Sequence, residues 1–277
     1  MNLVFDFSDF GTLVLLVSTS LLVAGLLGVL GGLVSTLVIQ RDASFAVHGI
    51  SELSFAGASI ALLSNIDVTF GAIAGSMLAA LIIGLVANKP KLRNSLTGVI
   101  MPFGLGIGIL ALSLYQGRAA SKFGLLTGSI VSIGDTKAAP LFILSGVILI
   151  ILVFSWRRLL FASIDPAVAA ARGVNLRVQS ILFMAILGMA VAISVQIVGA
   201  LLVLTLLVTP AAAAARVTNS QLWGPLLSVI FGVTSAVGGM LLSLGAALPV
   251  SPFITTVSFT IYIICLLISV IRKKVRA

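Results

Sequence analysis

Charge is what this sequence most conspicuously lacks. Only 8% of its 277 residues are charged, against about a quarter in an average soluble domain. Such a surface could not be solvated, which excludes a water-soluble globular fold. Cys265 is the one cysteine, so an internal disulfide and a thiolate metal cluster are both excluded. His48 is the one histidine and Glu52 the one glutamate, which rules out the two-histidine H-E-x-x-H metal helix. No G-x-x-x-x-G-K-[ST] stretch occurs and no lysine follows a glycine, so the chain cannot cradle a nucleotide phosphate by that route. The basic residues form no stripe with interleaved aromatics, and no nucleic acid is expected as a partner.

What is present is apolar: 60% of the residues are hydrophobic. The runs are continuous, without the two-residue alternation of barrel strands, so the fold class is all-α: a polytopic helical membrane protein. A bilayer span needs about 20 apolar residues. Candidate spans run over 10–39, 44–64, 68–87, 94–115, 138–156, 178–195, 197–209, 222–247 and 253–271. The 197–209 run is short, so eight or nine transmembrane helices are expected in a single transmembrane domain over 1–277. Residues Met1 to Phe10 carry no basic n-region and read as an interfacial lead-in rather than a cleavable signal.

The net charge of +9 lies mostly between spans, where the positive-inside rule accounts for it. Arg41, Lys89, Lys91, Arg93, Arg157, Arg158, Arg172, Arg177, Arg216, Arg272, Lys273, Lys274 and Arg276 are all cytoplasmic if the chain crosses nine times and ends inside. Arg118, Lys122 and Lys137 then fall outside, against the rule. The stretch 123–134 is short and glycine-interrupted, and is read as an external interfacial or re-entrant element. Gly104, Gly106 and Gly108 resemble part of a dinucleotide fingerprint, but no strand precedes them and no acidic partner follows. Close helix packing is the expected use of these glycines and of Gly25, Gly28, Gly31 and Gly32.

His48 and Glu52 stand out because they are ionisable and lie in an apolar run. Four residues apart on a helix, they share a face. Counted from Asp42 at 1.5 Å per residue, Glu52 lies about 15 Å in, near the middle of a hydrocarbon core about 30 Å thick. An imidazole and a carboxylate suit a divalent transition metal. Two ligands are too few for a held ion, and a two-fold pair of chains would supply four. A hydrogen-bonded structural pair and a proton relay are the alternatives. Gly57-Ala58-Ser59 looks like a fragment of a serine nucleophile motif, yet Ile60 follows where glycine belongs. The histidine lies eleven residues back, roughly 16 Å along the helix, so no Ser-His pair forms within the chain. The chain is not read as an enzyme.

Two connections carry helix signals. Ser163-Ile164-Asp165-Pro166 caps a short helix that continues through Ala167 to Arg172 and ends at Gly173. Thr209-Pro210 is read as closing a span. A second short helix and turn follow, from Ala211 to Trp223.

Three stretches resemble the ABC-type permease family for zinc, manganese and iron: Arg41 to Ala61 with its His48-Gly49-Ile50-Ser51-Glu52 core, Phe161 to Val174, and Val195 to Ala213. The resemblance implies a fold like the vitamin-B12-type importers and a homodimeric permease subunit in the cytoplasmic (inner) membrane. It implies two ATP-binding cassette subunits, which would hydrolyse the ATP, and a metal-capturing lipoprotein or periplasmic protein. The transported divalent metal ion would be cargo rather than a permanent cofactor, with His48 and Glu52 as its ligands near the dimer axis. ATPase coupling would fall on 211–223, at Ala211, Ala215, Arg216, Asn219 and Trp223. In that family an aspartate commonly precedes a histidine by four residues; here the order is imidazole then carboxylate. The alternative is a stand-alone proton- or ion-coupled secondary metal transporter.

Overall fold

The computed structural model describes residues 10–86, 90–117, 124–126, 128, 135–246 and 249–276. Twelve α-helices are described: α1 Phe10–Leu16, α2 Ser18–Gln40, α3 Ser44–Leu63, α4 Val68–Leu85, α5 Pro90–Leu114, α6 Asp135–Ile164, α7 Pro166–Ala171, α8 Leu176–Val198, α9 Val203–Leu207, α10 Thr209–Val217, α11 Trp223–Ala246 and α12 Val250–Arg276. Eight of them are long and apolar enough to cross a bilayer. The lead-in at 1–9 lies outside the described residues. So does most of 123–134, of which a helical turn at 124–126 is described.

Three helices stop by one device. Asp42 (φ 53°), Asn65 (φ 57°) and Gly173 (φ 81°) adopt the left-handed conformation just past α2, α3 and α7. After each, the next amide reaches five residues back: Ala43 to the Val38 carbonyl, Ile66 to Ala61 and Val174 to Ala169. That is the Schellman pattern, which satisfies carbonyls the helix end would orphan. Starts are capped by side chains. Asp67 accepts from the Thr69 amide, Asp165 from Val168 and Asn175 from Arg177 and Val178.

Two boundaries differ from the sequence reading. Helix α6 runs on through Arg157 and Arg158 to Ile164, so these arginines sit in its last turns rather than in a loop. It stops where Asp165 precedes a proline, a position that disfavours helical backbone. Thr209-Pro210 opens α10 instead of closing a span, because proline is tolerated in a first helical turn, where its amide needs no partner. The short run 197–209 is not one helix: Gly199 (φ 91°) ends α8, a 3-10 turn covers Ala200–Leu202, and α9 and α10 follow.

The chain divides into two units, Met1–Thr36 with Ser129–Ile143 and Leu204–Ala277, and Leu37–Gly128 with Leu144–Val203. In the second unit α3 is central and packs against α4, α5 and α8. Glycine sets the approach. A Cβ on Gly57 would overlap the Gly71 carbonyl oxygen, and one on Gly75 would overlap that of Leu53, so α3 and α4 meet backbone to backbone. The Ser54 hydroxyl donates to the Ala72 carbonyl across the same seam at 3.0 Å. On α5, Gly104 lies against the backbone of Glu52 and Leu53, and Gly108 against the Phe55 ring, while Gly106 faces open space. Packing, not phosphate binding, is the use of that run.

In the first unit the residue 18–36 part of α2 packs on α11. Gly28 and Gly32 meet the backbone at Val233 and Val229, and Ser228 donates to the Gly32 carbonyl at 2.7 Å. Helices α10, α11 and α12 pack on one another.

Candidate functional site

Helix α3 carries the imidazole–carboxylate pair. Its start is held by a basic cluster that the sequence did not single out. Arg93 of α5, only 5% exposed, donates to the carbonyls of Arg41 and Asp42, at 3.3 and 2.7 Å. Arg41 donates to the Ser163 hydroxyl at 2.7 Å and lies over the Phe183 ring, 4.6 Å from its centroid. Burial, and secondarily the Arg93 charge, lowers the Arg41 pKa to about 10, so the group stays cationic at neutral pH. The α2–α3 corner is thereby tied to α5, to the end of α6 and to α8.

Two turns into α3, His48 Nδ1 and Glu52 Oε1 lie 3.8 Å apart. That is too far for a hydrogen bond. Two ligands on one transition metal, each about 2.1 Å from it, sit roughly 3–3.5 Å apart. The pair is thus a few tenths of an ångström wider than a chelating pair, a gap that a small side-chain rotation closes. The Glu52 side chain is 3% exposed and that of His48 29%. His48 Nδ1 and Glu52 Oε2 have no hydrogen-bond partner among the described residues. A buried polar atom without a partner costs roughly 1–3 kcal/mol, and a charged one more. The two are open as ligands, not spent on each other. No group of three His, Cys, Asp or Glu able to hold a metal occurs among the described residues. Glu52 is enclosed by its own chain in this conformation, and His48 is the exposed member of the pair.

The residues named for ATPase coupling lie in the other unit. Ala211 is buried in α10 against its neighbours. Ala215, Arg216, Asn219 and Trp223 are exposed. Arg216 donates to the Tyr262 hydroxyl of α12 at 2.9 Å. In the turn that follows, Ser220 Oγ accepts from the amides of Leu222 and Trp223, capping α11. Leu222 and Trp223 are left 83% and 60% exposed, two large apolar side chains side by side at a helix start.

Fold and site define a multi-pass helical membrane protein with an imidazole–carboxylate pair in one span, one atom of each group unpartnered among the described residues. The sequence matches the ABC 3 transport family over residues 14–269. The chain belongs to that family. It is 26% identical to the manganese transport system membrane protein MntC of Halalkalibacterium halodurans over 225 residues, 81% of this chain and 77% of that protein. It is 27% identical to the manganese import system permease protein ScaB of Streptococcus gordonii over 265 residues, 93% of this chain and 94% of that protein. Its fold matches the solved structure of PsaBC from Streptococcus pneumoniae in complex with Fab, with a TM-score of 0.83 at 24% identity, covering 94% and 95% of the two chains.

Proposed function

We propose that this chain is the permease subunit of an ATP-driven importer of a divalent metal ion, with manganese the first candidate, and that the ion passes His48 and Glu52. The carrying observation is the pair itself: nitrogen and oxygen ligands within a span, facing each other, each with an unpartnered polar atom. An ionisable intramembrane group by default marks a pathway. Family membership and the manganese named in MntC and ScaB support the same reading. Manganese accepts imidazole and carboxylate, and the absence of thiolate beside the pair disfavours copper(I). A site with two protein ligands per chain suits transport, since a full cage would not release its ion.

In this proposal the working unit is a homodimer in the inner membrane with two ATP-binding cassette subunits and a metal-capturing protein outside, and the C-terminus is cytoplasmic. Alternating access must at some stage uncover Glu52, which its own helices enclose here. The 211–223 segment passes ATPase motion to the spans, and the exposed Leu222 and Trp223 are its docking side chains. An apolar anchor of this kind carries much of the energy of a protein contact.

The test is metal uptake into vesicles. Vesicles holding this chain with its ATPase and its metal-capturing protein are expected to take up manganese only with ATP. Gradient-driven uptake by the chain alone would instead establish a secondary transporter. With the ATPase present, Leu222→Glu is expected to lower ATP-driven uptake at least tenfold, the effect of losing one interface hot spot, at an unchanged membrane level. Wild-type uptake in that variant would remove Leu222 and its neighbour from the coupling surface.

A further inference from the structure

We infer that Ser59 is a second station for the hydrated ion, one stage along α3 from Glu52; the inference rests on the route proposed above. Three of the five buried side-chain polar atoms that lack a partner among the described residues are His48 Nδ1, Glu52 Oε2 and Ser59 Oγ. At 100° per residue these positions fall within an arc of roughly 40°. Helix α4 lies away from this arc, while α5 borders it, with Gly104 against the Glu52 carbonyl carbon and Gly108 against the Phe55 ring. Helix α4 meets α3 at Ser54 and Gly57, nearly opposite, and α5 meets it around Gly49 and Leu53. One narrow strip of α3 therefore carries all three open groups.

Ser59 is unusual among the serines here. Those at 35, 51, 76 and 194 each donate to a carbonyl three or four residues back, at 2.8–2.9 Å. A helical serine buried in apolar surroundings normally settles its hydroxyl that way. Ser59 is fully buried and its Oγ makes no such bond. It leads away from Glu52 by seven residues, about 10 Å along the axis. One ion cannot touch both groups through direct bonds at that separation. A hydrated ion can exchange between them, and weak sites in series are what passage requires. Phe55 lies on the same strip between the two, and its ring is turned onto Gly108 of α5, so its bulk is seated against that helix. The ligand class is a divalent cation that keeps part of its water shell. A hydroxyl is a hard oxygen donor and suits manganese better than a soft ion.

The test uses the full chain with its ATPase in vesicles. On a Cys265→Ser background, Ser59→Cys should react with a charged, membrane-impermeant methanethiosulfonate, and manganese should slow that reaction. Separately, Ser59→Ala should raise the KM for manganese about fivefold, the worth of one ordinary hydrogen bond, with kcat unchanged. An unreactive Cys at 59, labelling indifferent to manganese, or an unchanged KM in the alanine variant each overturns the inference. If Glu52→Gln abolishes uptake while any of these occurs, only the Ser59 station falls. If Glu52→Gln transports normally, the route itself falls and Ser59 with it.

Discussion

Glu52→Gln should abolish manganese uptake while the protein still inserts and assembles. The substitution keeps the shape of the side chain, leaves the backbone contact of residue 52 with Gly104 untouched, and removes the charge and one metal ligand. Loss of groups that merely orient a metal ligand costs 10–100-fold, so loss of the ligand itself should cost at least roughly 100-fold in rate. Packing gives no reason for the fold to suffer: the carboxylate makes no hydrogen bond through Oε2 among the described residues, and a neutral amide is cheaper to bury than a charge. Tracer uptake into ATP-loaded vesicles, normalised to the amount of folded protein, is the measurement. Glu52→Asp, which keeps the charge on a shorter stem, should retain part of the rate. A structural role would produce the reverse order, with Gln tolerated and both variants judged by stability alone.

Gly57→Leu should prevent folding. Here α3 and α4 touch through bare backbone, and even a Cβ would overlap the Gly71 carbonyl oxygen while standing 3.1 Å from the Gly75 Cα. Neither neighbour is a flexible side chain, so the helices themselves must part. Overpacking of one or two carbons costs about 1–3 kcal/mol, and Gly57→Ala should sit at the upper end of that range. Leucine adds three more carbons and should exceed the whole margin of stability, which is about 5–15 kcal/mol for a folded domain. The readout is the fraction of detergent-extracted protein that elutes as a single species, with its thermal midpoint. Gly106→Ala is the control: nothing lies within 4 Å of its added carbon. It should be neutral or stabilising by about 0.5–1 kcal/mol, the helix-propensity gain. Equal behaviour of the two alanine variants would contradict the backbone contact.

The spans were readable because apolar length is the bilayer's own requirement, and because Asp165, Pro166 and Gly173 punctuate the chain as their chemistry dictates. The left-handed stops at Asp42 and Asn65 were not singled out, since aspartate and asparagine serve loops and caps of several kinds. Pro210 was assigned to the wrong end of a helix for a related reason. Proline marks a boundary equally well from either side, and only the backbone shows which. The His48–Glu52 pair was legible because ionisable groups are scarce in such a sequence and the i, i+4 spacing fixes a shared face. The burial of Arg93 was hidden, as its bonds go to the carbonyls of Arg41 and Asp42, some fifty residues away. That the Ser59 hydroxyl lacks a partner among the described residues was not legible either, because a hydrogen bond made or missed leaves no mark in the sequence pattern.

His48 permits the most direct test, because it is the chain's only histidine. Manganese bound to the ATPase-associated protein, purified on a histidine-free tag, can be read by pulsed electron paramagnetic resonance. The nitrogen of a directly bound imidazole couples to the electron spin. The expected spectrum shows imidazole nitrogen coupling, absent in His48→Gln. A spectrum with oxygen ligands alone, or a nitrogen coupling that survives His48→Gln, would contradict the claim that the ion passes this pair.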